Sequence, residues 1–192
     1  MSVSLKKGDK VALSKDSVVN RISVCLGWDT AKYDDDGDFD LDASAFIVTK
    51  AGITRSDNDF VFYNNLKHPS GGVIHSGDNL TGSGNGDDEV IRVDLEKLPK
   101  YADKVVFCVT IFEAERRMQN FGMVENSYIR IVDDVTGNEI MRYDLKEKFG
   151  NSTAIIAGEI YRDESKWKFH AVGEGRDGGL LELCKEFEVE VE

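Results

Sequence analysis

Apolar and polar residues alternate along most of this chain with a period of two, and helical spacing is confined to short pieces. Period two sends successive side chains to opposite faces of a strand, so alternating runs mark half-buried strands. Two short strands, Val3–Leu5 and Lys10–Leu13, flank the turn Gly8-Asp9. Arg21–Trp28 alternates Ile22, Val24 and Leu26 with Ser23 and Cys25, and Val90–Leu95 alternates Ile91, Val93 and Leu95 with Arg92 and Asp94. Phe39–Thr49 is a long β-type run, while Phe60–Tyr63 and Val73–His75 are shorter strands around the turn His68–Gly72. Lys104–Phe112 is apolar at nearly every position, the mark of a central strand buried on both faces. Ser127–Val132 and Glu139–Leu145 form a hairpin about Asp133–Asn138, and Thr153–Arg162 and Lys166–Gly173 a second about Asp163-Glu164-Ser165. Helical pieces are predicted at Glu96–Tyr101, Glu113–Met118, Leu145–Phe149 and Gly179–Phe187. About ten short strands separated by turns predict an all-β fold, an antiparallel β-sandwich with a few short peripheral helices.

The 192 residues, 41% of them hydrophobic, suffice for one compact domain, and no linker composition divides them. Asp and Glu number 36 against 24 Lys and Arg, a net charge of −12 that argues against nucleic acid or an anionic membrane surface as main partner. The N-terminus has no apolar segment after its lysines to serve as a secretory signal, and no run of about 20 apolar residues is present to enter a bilayer. Cys25, Cys108 and Cys184 each lie in apolar company, the usual setting of a buried reduced thiol, which places the protein in the cytoplasm. Neither the cysteines nor His68, His75 and His170 supply the close ligand pairs of a zinc site.

One stretch stands apart from the strand pattern. Gly77–Glu89 reads GDNLTGSGNGDDE, with glycines at 77, 82, 84 and 86 between oxygen-bearing side chains. A loop of this kind can wrap hard oxygen ligands and its own carbonyls around a cation, and calcium accepts roughly 6–8 oxygens in adaptable geometry. Asp87, Asp88 and Glu89 repel one another, by up to about 4 kcal/mol per close pair at an effective dielectric of about 20, and a cation removes that repulsion. The spacing fits no EF-hand: counted from Asp78, Leu80, Gly82 and Ser83 occupy the third, fifth and sixth positions. Asp87 stands where a dinucleotide loop needs its third glycine, and no lysine follows to make a phosphate loop. The plain alternative is a solvated, turn-rich hairpin loop.

Other carboxylates could meet it. Asp40 and Asp42 share one face of an apolar strand, where carboxylates are costly unless paired, metal-bound or on a wet edge. Glu89 shares the face of Ile91 and Val93 and is drawn toward the core. Glu113 follows the central strand directly, as a rim acid or as the first-turn acid of a short helix. Asp29 is a strand-end acid, a ligand or a turn former; Asp34, Asp35 and Asp36 read as a solvated acidic turn.

These stretches together resemble the TerD family of tellurium-resistance and general-stress proteins. GWD at Gly27–Asp29, FDLDASAF at Phe39–Phe46, VFYNN at Val61–Asn65 and the loop Gly77–Glu89 carry the likeness. VTIFEA at Val109–Ala114, FGMVENSYIRIVD at Phe121–Asp133, EIMRYDL at Glu139–Leu145, GEIYR at Gly158–Arg162 and WKFHAVGEG at Trp167–Gly175 extend it, in order, over essentially the whole chain. The resemblance implies a cytoplasmic bacterial β-sandwich that binds calcium at two neighbouring sites. The family's loop motif falls on Asp78, Asn79, Asp87, Asp88 and Glu89, with the carbonyls of Leu80 and Gly82 as further ligands, and its FDLDAS motif on Asp40 and Asp42. Ser83 and Asn85 stand where members often carry acids, which puts the number of bound ions in question. Implied partners are other products of the tellurium-resistance operon, one of them membrane-bound, and no catalytic activity comes with the resemblance.

The expectation is therefore a calcium-binding, non-enzymatic stress protein that serves as a binding or scaffold module. Two alternatives stand beside it: a metal-free module whose acidic face docks a basic partner, and a metal-assisted hydrolase using the same carboxylates. Against the hydrolase, no GxSxG string and no nucleophile–base pairing is visible in the sequence.

Overall fold

The computed structural model describes residues 2–13, 19–30 (backbone only at 29 and 30), 39–77, 87–145, 149–164 and 166–190. Of the predicted loop, residues 78–86 lie outside them, and so do Asp34–Asp36 and most of the helical piece predicted at Leu145–Phe149.

Twelve strands form among the described residues: β1 (Val3–Leu5), β2 (Lys10–Ala12), β3 (Arg21–Thr30), β4 (Leu41–Val48), β5 (Phe60–Val61), β6 (Val73–His75), β7 (Glu89–Asp94), β8 (Lys104–Ile111), β9 (Val124–Asp133), β10 (Glu139–Asp144), β11 (Ala154–Asp163) and β12 (Lys166–Arg176). They pair into two six-stranded sheets, β1-β10-β9-β3-β7-β6 and β2-β12-β11-β8-β4-β5. All neighbours are antiparallel except β1, which runs parallel to β10. The sandwich expected from the alternation is the fold observed. Each sheet ends in strands of two or three residues, which leaves little open ladder for another chain to join.

The main core lies between the sheets. Ile22, Val24 and Leu26 of β3, Ile91 and Val93 of β7, and Ile129 and Ile131 of β9 face Leu41, Ala43, Ala45 and Ile47 of β4, Phe107 of β8 and Ile155 of β11. A second cluster occupies the far face of the second sheet, where Phe46, Phe60, Val106, Cys108 and Ile156 are covered by Leu183, Cys184 and Phe187. The cover belongs to α2 (Gly179–Glu186) and the turn after it. This second layer is why β8 is apolar on both faces, as its sequence predicted.

The helical pieces differ from expectation. Glu96–Tyr101 forms turns, not a helix. At Glu113–Met118 only α1 (Ala114–Arg117) is helical, because Glu113 and Met118 both adopt left-handed conformations that cap so short a segment.

Candidate functional site

The Gly-rich loop joins two neighbouring antiparallel strands, so both of its ends emerge at the same end of the first sheet. Its base is clamped. Ser76 N–H donates to Val90 O at 2.9 Å, and Asp88 N–H donates to Leu26 O at 2.9 Å. Gly77 turns the chain with φ of 116°, a conformation closed to most side chains, and its N–H reaches His75 Nδ1 at 3.2 Å. His75 Nδ1 therefore accepts, and the ring proton sits on Nε2.

That proton is donated to Ala43 O at 3.1 Å, and Glu89 Oε2 lies 3.0 Å from the same ring nitrogen. Both side chains are almost wholly buried. Glu89 thus points between the sheets, on the face its spacing with Ile91 and Val93 predicted. β5 pairs with β4 only at Ala45 and Phe46, so Ala43 lies beyond its reach. His75 supplies a donor there and stitches the loop's base to the FDLDAS strand.

Asp87 goes the other way. On the face of the first sheet turned from the core, Arg130 Nε and Nη2 grip its two carboxylate oxygens at 2.8 and 2.7 Å, and Tyr128 OH adds a bond of 2.9 Å. Burial pushes the carboxyl of Asp87 up, but the bonds from Arg130 and Tyr128 outweigh it and hold the group below the usual carboxylate range. The Tyr128 hydroxyl is pushed up to about 12 by burial and by its bond to Asp87. Between these two acids, Asp88 takes the Trp28 N–H on its Oδ2 at 2.9 Å, beside a register shift at Gly27/Asp29.

The remaining predicted acids gather elsewhere. Asp42 pairs in register with Thr110 on the far face of β4 and lines an open cleft of about 430 Å³ together with Glu113, Thr153 and Gly179. Glu113 contacts Arg116 and lies 3.9 Å from Arg117, which also comes within 3.8 Å of Asp40. Asp42 and Glu113 are therefore brought together, but on the opposite side of β4 from Glu89. Among the described residues no group of three or more His, Cys, Asp and Glu is assembled around a common point. Asp78, Asn79, Leu80 and Gly82, and the Asp29 side chain, lie outside the described residues.

Sequence reading missed one polar cluster. His68 Nδ1 meets Ser70 Oγ at 2.8 Å and its Nε2 meets Asp59 Oδ1 at 3.1 Å, while Tyr101 OH donates to the same oxygen at 2.6 Å. The order is that of a Ser-His-Asp relay, but its groups are engaged in holding a turn. Ser70 N–H also donates to Nδ1 at 3.1 Å, Gly72 N–H donates to Ser70 Oγ at 3.0 Å, and Arg55 and Ser56 N–H donate to Asp59 Oδ2. No local pattern links Asp59 to His68; only folding joins them.

What the geometry defines is an all-β sandwich that presents an oxygen-rich loop, clamped at its base, from one end. The chain belongs to the TerD domain family, whose model matches residues 1–187. It is 50% identical to general stress protein 16U of Bacillus subtilis over 192 residues, the full length of both chains. It is 48% identical to tellurium resistance protein TerD of Serratia marcescens over 188 residues, 97% of each. Its fold matches the crystal structure of a homologue of telluride resistance protein (TerD) from Streptomyces coelicolor A3(2), with a TM-score of 0.70, 23% identity, and coverage of 87% of this chain and 96% of that one.

Proposed function

We propose that this protein is a calcium-binding stress-response and tellurium-resistance protein that acts without catalysis, as a binding module in the cytoplasm. The observation that carries the reading is the clamped base of the Gly-rich loop, which gathers both ends of an all-oxygen donor segment at one end of the sandwich. The donors fit a hard cation: Asp78, Asn79, Asp88 and Glu89 offer carboxylate and amide oxygens, and Leu80 and Gly82 offer carbonyls. Calcium would neutralise the mutual repulsion of these acids and order the surface they form.

The names of the relatives support the physiological half of the reading, since full-length likeness near 50% joins a general stress protein and a tellurium resistance protein. Partners would be other tellurium-resistance proteins, one of them at the membrane. No helix among the described residues is long and apolar enough to cross a membrane itself.

Calorimetric titration with calcium in millimolar magnesium tests the claim. Magnesium holds its waters and demands octahedral geometry, so a multi-oxygen loop should select calcium. Calcium at about 100 times its dissociation constant should add about 2.7 kcal/mol of stability. The Asp88→Ala variant should lose most of that gain. No heat of binding, with equal melting in calcium and in chelator, would leave the metal-free acidic module as the better account.

A further inference from the structure

Asp87 and Glu89 are two residues apart, and in a regular strand they would share a face. Here they point to opposite sides of the first sheet, Asp87 to Arg130 outside and Glu89 to His75 within. The chain reverses its facing at Asp88, one residue before β7 begins to pair with β3 at Glu89 and Leu26, and close to where β3 shifts register against β9 at Gly27/Asp29.

We propose that Asp87 is the anchor of the Gly-rich loop and not one of its cation ligands, with Arg130 and Tyr128 as positioning residues; the calcium half of the proposal rests on the calcium reading above.

Both oxygens of Asp87 are already engaged. Oδ1 receives Arg130 Nε and Tyr128 OH, and Oδ2 receives Arg130 Nη2. A two-pronged guanidinium–carboxylate pair is among the stronger polar contacts a protein makes. A divalent ion on the same carboxylate would have to sit beside the Arg130 charge.

The gripping side chains are fixed independently of the loop. Arg130 is tied through Nη1 to Glu139 Oε2 at 3.1 Å, on the neighbouring strand β10. The Tyr128 ring lies over Gly27, and the Arg142 guanidinium stacks 3.7 Å from its centroid. Cys25 lies beneath the pair, opposite Arg130 in register. The platform therefore belongs to β3, β9 and β10, and the loop's last residue is fastened to it. Held there, Asp87 sets where Asp88 begins, and the Trp28 N–H bond on Asp88 Oδ2 fixes the next carboxylate.

The test is calcium calorimetry on the full chain with Arg130→Gln, Tyr128→Phe, Asp87→Asn and the Arg130→Gln/Asp87→Asn pair. The anchor reading expects Arg130→Gln to weaken calcium binding about ten-fold or more at unchanged stoichiometry, the usual effect of removing a group that orients ligands. Tyr128→Phe, which keeps the ring over Gly27, should weaken it less and in the same direction. The double variant should bind no worse than Arg130→Gln alone. Were Asp87 a ligand, removing Arg130 would free its carboxylate and delete a competing charge, so affinity would rise, and adding Asp87→Asn would then lower it below that of Arg130→Gln alone. A parallel urea series in chelator needs no metal: the double variant's midpoint shift should be smaller than the sum of the two single shifts. Additive shifts overturn the anchor. If the wild type binds no calcium but the shifts are non-additive, the calcium reading falls while the anchor holds.

Discussion

Tyr128 lies so close over Gly27 that a Cβ at that glycine would overlap its ring. The bare backbone of β3 is what lets the ring lie flat and deliver its hydroxyl to Asp87. Gly27→Ala should cost about 1–3 kcal/mol through forced displacement of the ring. Urea unfolding in chelator measures it, and a change below a few tenths of a kcal/mol would show that the ring has room to move.

His75 and Glu89 form a contact across the loop's base with both partners buried. Glu89→Ala removes a buried carboxyl in contact with the His75 ring, whose proton stays with Ala43 O. The expected loss is about 0.5–3 kcal/mol, again read by urea unfolding in chelator so that calcium plays no part. Stability within error of wild type would mean that the Glu89 carboxyl adds nothing to the clamp.

The three thiols are expected to be inert in the native protein. Burial pushes Cys184 from 9.0 to about 11, and burial together with Asp87 pushes Cys25 to about 12. Burial raises Cys108 well above its ordinary value. Since the thiolate is the nucleophile, alkylation at pH 8 should be far slower than in the urea-unfolded chain. The sign for stability follows from the same shifts. Native pKa values above the unfolded ones favour the fold fully below pH 9, and that contribution is lost as pH rises from 9 through about 11. A urea midpoint that stayed flat from pH 8 to 11, in wild type and in Cys184→Ala alike, would refute it.

Helix α2 closes the second cluster, and Thr54 binds it from below, donating its N–H and hydroxyl to Phe187 O, each at 3.0 Å. Leu183 is fully buried in that cluster, so Leu183→Ala should cost about 2–5 kcal/mol. The same change should speed alkylation of Cys108 beneath it. Unchanged Cys108 reactivity alongside lost stability would mean that the cover survives the cavity.

The period-two pattern located the strands well, with ends off by a few residues. Phe60–Tyr63 shortens to β5 because only Phe60 and Val61 find a partner on β4. Ser127–Val132 lengthens to β9 because Glu125 and Val124 pair with Asp29 and Thr30 beyond the shift at Gly27/Asp29. A boundary of this kind depends on the neighbouring strand, which local alternation cannot report. The parallel pairing of β1 with β10 was equally out of reach, since it joins residues more than 130 apart in sequence.

For the candidate site the division is similar. Composition marked Gly77–Glu89 as an oxygen-rich loop, and alternation turned Glu89 toward the core, because both are properties of a few adjacent residues. The side chain that meets each acid was decided by lateral packing alone. Asp87 found Arg130 across 43 positions, Glu89 found His75 at the far end of the loop, and Asp42 turned to the face it shares with Thr110. A strand dictates which way a residue points relative to its own neighbours; only the assembled sheets decide what stands opposite it.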